Sequence, residues 1–418
     1  MRLLQRRPGG PYIEHLLENA LARTELSPAD RHLCQELVYG IIRRQATLDW
    51  LVARKTENRA QKPLLQILLR LGLYQIFWLD RIPAHAAVHE TVQLARQSGC
   101  GPQAGFINAV LRSYLREFDA TRHLLAQLKL SQPALGHSHP DWLAASWTQR
   151  WGAHRAAQLM DWNNTPPAAF ARVNTLKTGP AKLLAQWRQE DVQSNPVCRD
   201  WFEENLLFEL KSHPPLAGLP SFQQGLFYLQ DPSTLLAPRE LDPQPGETVL
   251  DLCAAPGGKL SCLAQLMANQ GRLLAHDTAP DRLKLIRENS ARLGLTRVSP
   301  FDPQSPPLFD RMLLDVPCSN TGVMRRRVDL RWRLRPEDFP HLRATQLQLL
   351  RQAAALLRPG GRLVYSTCSL ETEENQDVVT QFLSEHPGFK LERQRELLPF
   401  IDHVDGAFVA RFTRQSGP

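Results

Sequence analysis

The chain predicts a multidomain protein: an all-α N-terminal domain, a small α+β middle segment, and a C-terminal α/β domain on a mostly parallel sheet. Three observations carry that expectation. Apolar residues recur at threes and fours, the helical period, from about residue 11 to 130, with nothing resembling a strand. From about residue 225 short apolar runs alternate with helical stretches, the pattern of strand–helix–strand units on a parallel sheet. At 418 residues the chain is also long enough for two or three separate cores. The expected boundaries are 1–135, 136–224 and 225–418.

The helical series opens with Tyr12-Ile13, Leu16-Leu17 and Leu21, and continues through Leu33, Leu37-Val38 and Ile41-Ile42. Ser27-Pro28-Ala29-Asp30 is a helix start with Pro in the first turn. Further helices are expected over Leu64–Leu79, Pro83–Arg96 and about Pro102–Phe118, with Gly99, Gly101 and Pro102 at the joints. Residues 131–140, Ser-Gln-Pro-Ala-Leu-Gly-His-Ser-His-Pro, read as a linker, and the lone pair His137 and His139 is a weak metal signal. A helical stretch from Trp142 to Trp162 is broken by Asn163-Asn164-Thr165-Pro166-Pro167; a strand at Ala169–Asn174 and a helix at Ala181–Glu190 follow. In the C-terminal part, strands are expected at Thr248–Leu250, Arg272–Ala275, Val298–Phe301, Met312–Leu314 and Arg362–Tyr365. Helices fall between them at Gly258–Ala268, Asp281–Leu293 and Leu342–Leu357. Gly406–Phe412 alternates with period two, as an added antiparallel edge strand would.

Composition narrows the function classes. The 43% hydrophobic and 22% charged residues are ordinary for a globular protein, and no apolar run reaches the length of a membrane span. The first ten residues lack the apolar core of a signal peptide, so a cytoplasmic location is expected. Seven cysteines at irregular spacing, with no Cys-x-x-Cys pair, argue against a disulfide framework and a structural zinc site, and no metal is expected. A net charge of +8 favours a polyanionic partner, although basic helix residues such as Arg43, Arg44, Arg54, Lys55, Arg112 and Arg116 also suit a solvated surface.

Three stretches bear chemistry. In residues 311–322, Met312-Leu313-Leu314 reads as a buried strand with Asp315 at its end. Pro317 prevents its continuation, and Cys318 opens a Ser-Asn-Thr-Gly turn. The pattern returns where Leu363-Val364-Tyr365 gives way to Ser366-Thr367-Cys368-Ser369. Parallel α/β sheets hold ligands at the carboxyl ends of their strands, so two cysteines and an aspartate delivered there could form one reaction site. The alternative is that both cysteines are small buried hydrophobes. Upstream, Asp251-Leu252-Cys253-Ala254-Ala255-Pro256-Gly257-Gly258-Lys259 joins a strand to a helix, and its glycines let backbone amides approach a negative group. A nucleotide P-loop would need Gly at 253 and Ser or Thr at 260, where Cys253 and Leu260 stand, and the dinucleotide fingerprint is absent. S-adenosyl-L-methionine remains as the cofactor. Asp277, 19 residues past Gly258, sits where an acidic residue grips ribose hydroxyls, or else caps the helix that follows. Finally, residues 325–335 hold Arg325, Arg326, Arg327, Arg331 and Trp332, a pattern suited to phosphate contact and base stacking unless it is only a solvated loop.

These residues resemble a known family. The strings at 36–44, 71–76, 82–92 and 106–112 resemble the NusB-like RNA-binding domain, in the form fused to bacterial ribosomal RNA methyltransferases; the middle segment is similar to the RNA-contacting extension of the same proteins. Asp251–Lys259, Asp315–Gly322 and Ser366–Ser369, in that order, resemble the RNA cytosine-C5 methyltransferases of the NOL1/NOP2/Sun group. The helical domain narrows this to the RsmB/Sun type acting on 16S ribosomal RNA. The resemblance implies a Rossmann-like class I methyltransferase domain. It assigns Cys368 as the nucleophile on cytosine C6 and Cys318 to product release. Asp315 would hydrogen-bond the cytosine edge, with Lys259 paired to it. The cofactor would be held by Cys253 to Lys259, Asp277, Asp315 and, at the adenine, Asp302. Residues 299–310 depart from the family in being short and proline-rich, which leaves a turn-forming role open for Asp302. The implied partner is 16S ribosomal RNA in an unfolded or early-assembly state, bound by a monomer. Three other readings remain: a transfer-RNA cytosine methyltransferase, a non-catalytic RNA-binding assembly factor, and a DNA cytosine methyltransferase, which would attack from the Pro-Cys turn instead.

Overall fold

In a computed structural model the described residues, 10–416, form two compact units: 10–166 together with 324–334, and 167–323 together with 335–416. Of the ten N-terminal residues on which the signal-peptide expectation rests, residues 1–9 lie outside the described residues.

The first unit is helical. Its helices are Ile13–Ala22, Pro28–Arg43, Gln45–Lys55, Pro63–Trp78, Ala84–Gln97, Ala104–Arg116, Phe118–Ser131, Pro133–Gly136, Asp141–Trp151 and Ala153–Trp162. The Ser27 side chain caps the second helix, accepting from the Asp30 amide at 3.1 Å, with Pro28 in the first turn. Leu68, Leu69 and Leu73 are buried with Leu48, Leu51, Ile107 and Leu111 in one core. Gly40 is required by packing: a Cβ there would fall about 2 Å from the Tyr74 ring.

Two expectations fail in this unit. Residues 131–140 are not a linker, because His137, Ser138 and His139 are buried. Ser138 Oγ accepts from the Ala46 amide at 2.9 Å, and Thr47 donates to Leu135 O at 2.7 Å. The helices after this stretch pack with the first unit, which reaches residue 166. The arginine-rich stretch is also not an open RNA patch. Residues 324–334 pack inside the helical unit, where Arg331 is fully buried. Its guanidinium donates to Asn164 Oδ1 at 2.8 Å, Asn163 O at 2.9 Å and Ser138 O at 3.2 Å. Burial lowers its pKa, aided by the charges of Arg43 and Arg44. Arg325 is buried with its guanidinium 4.0 Å from the Trp162 ring centre, and Trp332 Nε1 donates to Ile42 O at 2.9 Å. Each of these side chains satisfies backbone or ring partners that would otherwise lie buried alone. Arg326 and Arg327 are half-buried.

The second unit holds two sheets. Strands β1 (Ala169–Val173), β2 (Gln193–Arg199), β3 (Phe202–Ser212) and β4 (Phe227–Leu229) form an antiparallel sheet in the order β2-β3-β1-β4. The helix Pro180–Gln189 packs on it through Leu183 and Trp187, which meet Phe208 and Phe227. The larger sheet contains β5 (Thr248–Asp251), β6 (Arg272–Ala275), β7 (Val298–Pro300), β8 (Phe309–Asp315), β9 (Leu357–Thr367), β10 (Phe389–Leu397) and β11 (Ala407–Arg414). Its order is β10-β11-β9-β8-β5-β6-β7; the five strands β5 to β9 pair in parallel, and β11 and β10 add antiparallel at one edge. Leu250, Leu314 and Tyr365 fill one face and Val249, Leu313 and Val364 the other, as the two-residue period of a sheet covered on both sides requires. The chain leaves β5 for β6 on one side and returns to β8 on the other. This reversal opens a crevice at the carboxyl ends of β5 and β8. No helix among the described residues is long and apolar enough to cross a membrane.

Candidate active site

Four strand ends converge on that crevice. β5 ends at Asp251 and leads into the loop 252–257, and the helix Gly258–Leu266 starts immediately after it. Gly257 takes a left-handed conformation, φ +104°, which favours glycine, and a Cβ on Gly258 would come 3.1 Å from the Tyr228 ring. The loop is pinned at several points. The Ala254 amide donates to His276 O at 2.9 Å, and Asn289 Nδ2 donates to Pro256 O at 2.9 Å. Asp277 is buried beyond β6; it accepts from the Ala255 amide at 3.2 Å and pairs with Arg282 at 3.3 Å. The next helix begins after Ala279 with no side-chain cap, so Asp277 serves the loop and not that helix.

The opposite wall comes from β8 and β9. Asp315, at the end of β8, accepts from Lys259 Nζ at 2.6 Å and from Ser366 Oγ at 2.7 Å. Burial opposes the charge on Lys259, but Asp315, with smaller help from Cys368 and Asp251, raises its pKa overall. The turns after β8 and β9 bring Cys318 Sγ and Cys368 Sγ to 3.3 Å. Gly322 N donates to Cys368 O at 2.9 Å and locks the two turns together; a side chain on Gly322 would strike that same carbonyl. Asn320, in a left-handed conformation, donates to Cys318 O at 2.7 Å and places Oδ1 3.1 Å from Cys368 Sγ. The hydrogen bond to Cys368, together with burial, raises the Cys318 pKa and holds it as a thiol.

Asp315, Lys259, Cys318, Cys368, Asp277 and the loop from Cys253 to Gly258 thus share one crevice. Asp302 differs: it lies just beyond β7, is exposed, and uses one oxygen to accept from the Gln304 amide at 2.9 Å, which makes it a turn former. The Cys253 thiol is pushed up by burial and by the charge of Asp251, so it stays protonated within the loop. Asp251 was missed as a site residue. It is 1% exposed, and neither oxygen has a well-aligned hydrogen bond, the Cys253 amide giving only partial relief. Burial, then the charge of Asp315, pushes its carboxyl up to about 8. An orphaned buried carboxyl at the start of a glycine loop is a receptor for a cation, and the ammonium group of an amino-acid-bearing cofactor fits it. Its position matched that of Asp315, an aspartate closing a buried strand, and that parallel was the available signal. Among the described residues no group of three or more His, Cys, Asp or Glu side chains is placed to hold a metal ion.

Comparison with known proteins agrees with this geometry. Residues 238–413 match the family described as 16S rRNA methyltransferase RsmB/F, residues 7–116 the NusB family, and residues 139–202 the ferredoxin-like domain of RsmF/B-like methyltransferases. The chain is 38% identical to the probable ribosomal RNA small subunit methyltransferase B of Bacillus subtilis, across 97% of this chain and 95% of that protein. It is 35% identical to ribosomal RNA small subunit methyltransferase B of Vibrio cholerae, across 96% and 94%. A methyltransferase homologue from Pyrococcus horikoshii shares the fold with TM-score 0.59 and 32% identity, covering 68% of this chain and 97% of that one. The helical N-terminal domain is therefore NusB-like and the C-terminal sheet is a Rossmann-like methyltransferase fold. With its three motifs intact and its relatives matched over nearly their full length, the chain belongs to the RsmB/F methyltransferase family.

Proposed function

We propose that the protein methylates C5 of a specific cytosine in 16S ribosomal RNA through a covalent adduct between Cys368 and cytosine C6. The observation that carries the reading is the placing of two strand-end thiols 3.3 Å apart, beside the Lys259–Asp315 pair. S-adenosyl-L-methionine, held by Asp251, the loop from Cys253 to Lys259 and Asp277, supplies the methyl group to C5.

The residues of the chain divide the rest of the work. Cytosine C5 is a weak nucleophile. Addition of the Cys368 thiolate forms the S–C6 bond and shifts the C5–C6 electron pair towards C5, which turns one hard step into two easier ones. Asp315, aligned by Lys259 and Ser366, faces the polar edge of the base and stabilises a proton at N3. After methylation the C5 proton passes to water, and its electron pair re-forms the C5–C6 double bond and expels Cys368 as a thiolate. N3 gives up its proton, with Cys318 beside the ring for release. A base reaching these sulfurs has left its stack, so a loop or an unfolded strand is the favoured RNA.

Methyl incorporation into undermethylated small-subunit ribosomal RNA, mapped to the nucleotide, tests the reaction. Transfer RNA as the only acceptor would favour the transfer-RNA reading, and no incorporation into any RNA would favour an assembly factor. Cys368→Ala abolishes the covalent RNA adduct and Cys318→Ala accumulates it. Loss of the adduct in both variants would overturn the assigned roles.

A further inference from the structure

Behind the two cysteines lies a carboxylate that the reaction above does not use. Glu374 belongs to the short turn Thr372–Glu374 and is fully buried. Its Oε1 accepts from the Ser319 amide at 2.8 Å and from Gln346 Nε2 at 3.0 Å. Its Oε2 accepts from Ser369 Oγ at 2.5 Å and from Ser319 Oγ. Ser319 directly follows Cys318, and Ser369 directly follows Cys368. One acceptor-only group therefore clamps the residue after each cysteine, on two turns that the sequence separates by 50 positions. The support extends outward: Gln346 also donates to Pro317 O at 3.0 Å, and Tyr365 Oη donates to Glu374 O at 2.5 Å, fixing the turn that carries the carboxylate. A buried carboxylate is costly to desolvate, and this one recovers the cost through four donors on three segments.

We propose that Glu374 is a positioning residue that sets the spacing of Cys318 and Cys368, with Ser319 as its arm to the release thiol and Ser369 as its arm to the nucleophile. The proposal rests on the cytosine reading given above. It makes a distinction that a general structural role would not: each arm governs a different step. Ser369→Ala loosens the attacking sulfur and lowers the amount of adduct. Ser319→Ala loosens the releasing sulfur and raises the steady-state adduct. Glu374→Gln puts an amide donor against groups that already donate, and disturbs both turns. A displacement of about 1 Å costs a reaction about 100-fold in rate, which sets the expected fall in single-turnover methylation for Glu374→Gln.

The experiment uses the full-length protein with undermethylated small-subunit ribosomal RNA. It measures covalent adduct, single-turnover methylation, RNA affinity and S-adenosyl-L-methionine affinity for the wild type and the three variants. Opposite changes in adduct for the two serine variants, with both affinities retained, support the clamp. Equal or unidirectional changes in adduct, or a wild-type rate in Glu374→Gln, overturn it. If Glu374→Gln does not fold, the two serine variants, which leave the carboxylate in place, decide the matter alone. A wild-type protein that forms no adduct and methylates no cytosine defeats the cytosine reading itself, a result distinct from failure of the clamp.

Discussion

Asp251 gives a prediction that can be worked from its surroundings. The carboxyl ordinarily titrates at 3.8; burial, with the nearby Asp315 charge, moves it up to about 8. The sign follows from which state holds the proton. Between those two values the folded protein keeps a proton that the unfolded chain has lost, so stability from this group is complete at low pH and falls as pH rises towards 8. The slope attributable to one proton is about 1.4 kcal/mol per pH unit. Urea unfolding at pH 5, 6 and 7 checks it: the stability difference between the wild type and Asp251→Asn shifts in favour of the variant by about that amount per unit. The cofactor adds a second measurement. A cationic ammonium facing Asp251 favours its ionised form, so S-adenosyl-L-methionine binding at pH 7 releases close to one proton. Affinity then rises by about tenfold per pH unit between 6 and 7. The rise ends near pH 8, where a free α-amino group begins to lose its own proton. Calorimetry in buffers of different ionisation enthalpy counts the proton, and Asp251→Asn removes it. Parallel stability profiles for the two proteins, or binding with no proton released, would refute the reasoning.

Other outcomes follow from single features. Gly257→Ala forces a side chain into a left-handed backbone with no steric collision, and costs about 1–2 kcal/mol in the loop; thermal melting and cofactor titration both register it. Arg331→Met leaves Asn163 O, Asn164 Oδ1 and Ser138 O without their buried donor, and lowers stability by about 3 kcal/mol or more in chemical denaturation. Weakened RNA binding by that variant at unchanged stability would instead restore Arg331 as an RNA contact. With a net charge of +8, the protein loses affinity for single-stranded RNA by about 0.7 log unit per decade of salt for each phosphate neutralised. Filter binding across a salt series reads the slope, and a flat response excludes a phosphate-based interface.

The architecture and the two cysteine turns were legible because their signals are local. A buried strand ending in aspartate, a proline stop and a glycine turn each act through neighbouring residues, and the strands at 248–251, 272–275 and 309–315 lie where the apolar runs place them. Strands β2 and β3 escaped notice because in Phe202–Ser212 the core residues Leu206, Leu207 and Phe208 are consecutive and flanked by Glu203, Glu204 and Glu209, which breaks the two-residue alternation. The stretch at 131–140 misled because Gly, Pro, Ser and His mark loops by frequency, whereas here long-range partners bury the two histidines and the serine. Arg325 and Arg331 misled for the same reason: composition cannot say whether a guanidinium meets water or a cluster of carbonyls. Glu374 stands in the run Glu371-Thr372-Glu373-Glu374, which on its own reads as a solvated acidic face; its donors come from turns far away in the chain.

The eleven residues 324–334 belong by packing to the helical unit, yet both neighbours in the chain, Val323 and Arg335, belong to the other. The polypeptide is therefore interleaved and not arranged as beads on a string. A protease cut near residue 166 would yield two pieces that still copurify, because the larger one carries a segment of the smaller one's interior. For the same reason residues 10–166 expressed alone would keep vacant carbonyls where Arg331 belongs, and would recover native melting only when a peptide spanning 324–334 is supplied in trans.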